Sequence, residues 1–227
     1  MAHLTTGQIK QLLEIDHAGP GIRAEVQELI TRLTSGGVGV KTNDPRVTQA
    51  KRLWDKGFGR ELGIDSFEHY LANIPVIPES LLAHDERFPE LVLVDAGLGI
   101  TKICELLGID FSGDDQTFED FDPKQARTEQ VYWIRLQDGK KNCGKSVQTC
   151  RKEFAQDEIG LTFHEGLAFC AQCPESFRKF ALDLTGSVTR DGCSSAAYLY
   201  WTFARPELSW YFVDDASQDS GAGSRRK

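Results

Sequence analysis

Cys170-Ala171-Gln172-Cys173 is the spacing in this chain that most directly names a chemistry. Two thiolates three residues apart can hold a zinc ion or exchange a disulfide. Zinc would need further ligands, for which His164 and Cys193 are candidates together with Cys143 and Cys150, although no second close pair completes a double knuckle. Redox exchange would place the pair at a helix N-terminus, where the dipole lowers a thiol pKa, and here it falls at a helix end. Ordinary buried thiols are the simpler reading.

A second spacing, Gly139 followed by Gly144-Lys145-Ser146, satisfies the short pattern of a phosphate-binding loop, with amide donors and a helix start to receive the anion. Such a loop follows a buried parallel strand, whereas the preceding Tyr132 to Leu136 run reads as amphipathic. The competing reading is a lysine-rich turn in which the glycines give backbone freedom and Ser146 caps a helix.

His164 and Glu165 could serve as base and carboxylate, but neighbours on a helix point about 100° apart. A remote acid would have to complete such a site, and Asp183 and Asp191, with Asp214 and Asp215, stand at strand ends or turns. Asp114, Asp115, Glu119, Asp120 and Asp122 form an acidic loop that could hold a hard cation but lacks the ligand order of an EF-hand, so a solvated loop is expected.

The elements that must position these residues follow from periodicity and caps. Apolar stripes predict helices over 4–16 and 22–33, and Asn43-Asp44-Pro45 opens a third reaching about Lys56. Ser66 caps a turn from Phe67, and three prolines mark 75–90 as an extended connector. Beyond it, Leu91 to Asp95 and Val131 to Leu136 read as strands, with a helix from Gly99 to Leu107. Ser146 and Thr162 cap helices reaching Phe154 and Cys173. Ala196 to Phe203 and Leu208 to Val213 form an aromatic hairpin, one of whose faces could serve a partner or ligand. The tail from Ser217 is polar and glycine-containing and is expected to be mobile.

The expected architecture is α+β: a helical region over 1–74, a connector over 75–90, a small mainly antiparallel sheet packed with short helices over 91–215, and a mobile tail over 216–227. With 40% hydrophobic and 26% charged residues the chain has the composition of a globular protein. Its formal charge of −8 disfavours nucleic acid as a partner. The start lacks a signal peptide and no long apolar run occurs, so a soluble, cytoplasmic protein with no membrane contact is expected.

The strings RFPELVLVD (87–95), FSGDDQTFEDFDPKQARTEQVYWIRLQDGKKN (111–142), EIGLTFHEGLA (158–168) and DLTGSV (183–188) resemble an uncharacterised family of bacterial proteins, found mainly in candidate-phylum genomes. The resemblance covers roughly residues 60–215 and implies no activity, fold or catalytic residue. It includes Cys150 within TCRKEF but not Cys170 and Cys173, so a zinc site common to the family would not use that pair. Without a complete catalytic constellation, a non-enzymatic binding or interaction protein is the leading expectation, its partner an unknown protein or small-molecule ligand. The alternatives are a metal-dependent hydrolase or phosphate-binding enzyme, and a zinc-stabilised structural protein.

Overall fold

The computed structural model describes residues 44–227 apart from 126, 179, 193, 203 and 204. The helices expected over 4–16 and 22–33 lie outside the described residues. Helix α1 (Pro45–Lys56) begins at a proline whose fixed φ suits a first turn, and buries Ala50 and Leu53. Gly57, at φ 102°, turns the chain into the single turn α2 (Phe58–Glu61), and the Ser66 hydroxyl caps α3 (Phe67–Asn73) by accepting from the His69 amide.

These helices do not form a separate region. Leu53, Phe58, Tyr70 and Ile74 share one apolar cluster with Val92, Val94 and Ile134 of the sheet, and the compact unit runs from Pro45 to Lys227. Gln49 on α1 donates to Leu91 O and accepts from Leu93 N, occupying the open edge of strand β1 (Glu90–Asp95). Residues 75–90 are therefore no domain boundary. They contain the helical turn α4 (Glu79–Leu82), and their carbonyls satisfy side chains from below: Trp133 donates to Pro75, and Arg135 to Leu81 and Pro89.

Helix α5 (Ile100–Leu107) ends at Gly108 in the left-handed conformation. The short strands β2 (Asp110–Phe111) and β3 (Phe118–Asp120) follow, then β4 (Val131–Gln137), helix α6 (Val147–Glu153), β5 (Glu158–Gly160) and helix α7 (Phe163–Gln172). The remaining elements are the turn α8 (Pro174–Phe177), β6 (Ala181–Leu184), β7 (Ser187–Thr189), the hairpin of β8 (Ser195–Trp201) with β9 (Pro206–Phe212), β10 (Ser220–Ala222) and β11 (Ser224–Arg226).

One sheet has the order β1-β4-β11-β5 and is antiparallel throughout; a second has the order β10-β6-β8-β9-β2, with parallel pairings only at its two edges. A small antiparallel ribbon joins β3 to β7. Helix α7 packs against β1 of the first sheet and against β6 and β8 of the second, so both sheets share its apolar faces in one core. Strand β4 is buried from Tyr132 to Leu136, because strands flank it and helices and the 75–90 segment cover its faces; the amphipathic reading of that run is corrected. The fold is α+β, as expected from the order of elements.

The tail is built into both sheets rather than mobile. β11 lies between β4 and β5, and β10 lies along β6. Glycine here serves close approach: a Cβ on Gly221 would meet Gly139 O at 2.3 Å, and one on Gly223 would meet Leu161 and Leu182 at 2.7 Å. Gln137 and Asn142 both donate to Ala222 O, holding the segment down. Among the described residues no helix is long and apolar enough to cross a membrane.

Candidate functional site

His164 and Glu165 open α7 and part company there, as helical geometry requires. Thr162 and Glu165 form a reciprocal capping box, the hydroxyl accepting from the Glu165 amide and the carboxylate accepting from the Thr162 amide. The same carboxylate, fully buried, is ion-paired to Arg225 of β11, and Tyr132 Oη stands 3.5 Å from it. His164 turns instead toward Leu53, Phe58 and Asp95 around a small apolar void, its ring 4.0 Å from that of Phe163. Burial lowers its pKa to about 4, so the imidazole is neutral.

Asp183 cannot join them. On β6, Leu182 and Leu184 face α7, so the alternation of the strand sends Asp183 to the opposite face of the sheet. There it is fully buried and accepts from Ser220, while the Tyr211 hydroxyl faces both groups without a well-formed bond to either. Burial raises its carboxyl pKa to about 6, against the lowering effect of the two hydroxyls. Asp191 sits exposed in the turn after β7. The four acid–base candidates therefore occupy four separate places.

The Gly139 to Ser146 segment has the left-handed glycines a phosphate loop would use, but its amides are already committed. Those of Gly139, Lys140, Asn142, Cys143, Gly144 and Lys145 all donate to acceptors within the protein. Lys145 is paired with Glu153, and Ser146 caps a helix of seven residues by accepting from Thr149 N. The preceding strand is antiparallel to its neighbours. No cradle is left for an anion.

Cys170 and Cys173 have different surroundings. Cys170 is a buried thiol in the core and Cys173 donates toward Glu90. Burial pushes both up to about 12, with Glu90 adding to the rise at Cys173, so both are protonated thiols. Cys193 lies outside the described residues. Among those described, no group of three His, Cys, Asp or Glu side chains is placed to hold a metal ion. Two carboxylates of the acidic loop are likewise spent on local work: Asp115 accepts from Thr101 at the start of α5, and Asp114 closes a turn on Gln116.

What the fold does assemble is a cleft of about 230 Å³ between the β3–β7 ribbon, α6 and the end of β11. Arg225 forms part of its wall; the side chain is 3% exposed, and Nε and Nη1 are bonded to Glu165 and Arg226 O. Its Nη2 makes no hydrogen bond among the described residues. Thr185 lines the same wall, pressed against Gly160, and its buried hydroxyl has no partner. Asp120 accepts no side-chain hydrogen bond there either. Burial first, and the nearby Glu165 charge second, raise its pKa, while Arg225 opposes them. Phe121 presents an exposed ring at the rim with the Arg151 guanidinium 3.8 Å above it. Arg151 is fixed by bonds to Thr185 O and Ser187 O. Asp120 and Thr162 also border a second cleft, of about 370 Å³, that includes Tyr132 and His164.

Arg225, Thr185 and Arg151 were not among the residues singled out from the sequence. Thr162-x-x-Glu165 did carry the signature of a capping box, which would have assigned Glu165 a structural role. Arg225 had no such signal, since it lies in a short polar run. Comparison with protein-family models, curated proteins and solved structures found no match.

Proposed function

We propose that this is a binding protein for a small polar ligand, held in the cleft beside the Arg225–Glu165 pair. The observation that supports the reading is the coincidence, on one cavity wall, of a guanidinium held by Glu165 with one nitrogen unbonded and a half-buried carboxylate with no side-chain donor. Polar groups that converge on a cavity wall and are left unbonded by the protein are what a ligand would satisfy. The exposed ring of Phe121 offers an apolar rim to the same space. The neutral His164 and the committed amides of Gly139, Lys140, Asn142, Cys143, Gly144 and Lys145 lend no support to metal-dependent hydrolysis or phosphate handling.

The reading is tested by a thermal-shift panel of free amino acids, simple carboxylates, amines, sugars and nucleotides, run on the intact protein and on Phe121→Ala. A ligand at a hundred times its Kd stabilises by about 2.7 kcal/mol, which is a rise of several degrees. The expected result is a rise with one chemical class that is reduced in Phe121→Ala. No rise with any class, or a rise indifferent to Phe121, would overturn the proposal.

A further inference from the structure

Resting on that reading, we propose that the ligand is a small zwitterion carrying a carboxylate and an ammonium group close together, a free amino acid or very short peptide. The three basic residues of the cleft, Arg151, Arg225 and Lys227, are matched by three acidic ones, Asp120, Asp122 and Glu158. Glu158 is paired with Lys141 and Arg87, so a nucleotide or other polyanion would bring its charge against Asp120 above all, and a simple polyamine would meet the cations. A ligand with one charge of each sign meets neither penalty.

The groups without partners divide the same way. Arg225 Nη2 is a charged donor on one part of the wall, which a ligand carboxylate takes up. Asp120 is an acceptor in need of a donor, which an ammonium supplies. Glu165 is already occupied by Arg225 and the Thr162 amide, so it holds the guanidinium in place and leaves Asp120 to receive the ligand's positive end. The remaining space is bordered by Phe121 and Phe154, which suits a side chain of modest size.

Proton linkage follows from the same arrangement. The Asp120 carboxyl is raised by burial and by Glu165, and an ammonium docked against it favours the ionised form. Affinity for the zwitterion should therefore rise with pH across the carboxylate range and level off above it.

The experiment is isothermal titration of the full chain with the twenty free amino acids, followed by the N-acetyl and C-amide derivatives of whichever binds best, and by Asp120→Asn. The expected result is binding of at least one free amino acid, weakened at least tenfold by blocking either end and by the Asp120 substitution. Equal binding of blocked and free forms, or binding only of a plain carboxylate, amine, sugar or nucleotide, would overturn the zwitterion while leaving the cleft as a binding site. No binding by any of these classes would overturn both. The derivative comparison uses the unaltered protein, so it decides even where the variant does not fold.

Discussion

Glu165 and Asp183 are both sealed from solvent, and the protein treats the two carboxylates in opposite ways. Glu165 sits at a helix start, accepts its own cap amide and faces a guanidinium brought in by β11. Asp183 lies across the second sheet with hydroxyl groups for company and no cation, and its pKa rises to about 6. A buried charge persists where a counter-charge and hydrogen bonds meet it; where hydroxyls alone are offered, the proton stays on longer. The cleft is built at the first kind of place, where an ionised group holds a second ionised group in position.

The largest effect expected from disturbing this contrast is at Arg225. Arg225→Ala strands Glu165 in the interior and should cost about 3–5 kcal/mol, measured by urea unfolding at neutral pH. A loss under about 1 kcal/mol would mean that the pair is not sealed as described.

Next comes the pH profile set by Asp183. Its folded pKa of about 6 stands above the ordinary value of 3.8, so the folded state keeps the proton to higher pH than the unfolded state does. Its contribution is fully present below pH 3.8, falls as pH rises to about 6 and is constant above. The fall is on the order of 3 kcal/mol. Asp183→Asn should remove this slope and be more stable than the parent near pH 7. A slope unchanged in the variant would assign it to other groups.

Packing gives a smaller effect. A Cβ on Gly160 would lie 1.8 Å from the Thr185 hydroxyl and 2.8 Å from the Gly186 amide, so Gly160→Ala should cost about 1–3 kcal/mol and distort the cleft wall. An unaltered melting temperature would show that the strand crossing can relax. The smallest expected effect is that of chelation: with Cys170 and Cys173 protonated in separate surroundings, EDTA should leave the melting temperature unchanged. A fall would point to a metal site that uses residues outside those described, Cys193 foremost.

The contrast also separates what could be read in the sequence from what could not. The β8–β9 hairpin was legible because its aromatics alternate, and it pairs from Ser195 with Phe212 to Trp201 with Pro206, so the proline stands in the strand end rather than inside the turn. Ser66, Ser146 and Thr162 were legible as caps because a hydroxyl before an apolar stripe has a local job that needs no tertiary partner. The strands β5, β6, β7, β10 and β11 are three or four residues long and carry no measurable period. In the tail, Ser, Gly and Ala look like disorder in composition, yet Gly221 sits against the Gly139 backbone and Gly223 against the Leu161 and Leu182 side chains. The cleft was illegible for the same reason. Asp120 lies on β3, Thr185 in the turn between β6 and β7, and Arg225 on β11, and they meet only through the tertiary fold.

The most direct test of the account is a double-mutant cycle on the pair that anchors the cleft, with Arg225→Met, Glu165→Gln and both together followed by urea unfolding. Each single change leaves one buried charge alone, and the double change leaves none. The account predicts that the double variant is more stable than either single one, with a coupling of about 2 kcal/mol or more. Losses that simply add would contradict it, because Arg225 and Glu165 would then be independent neighbours and the cleft would have no fixed guanidinium in its wall.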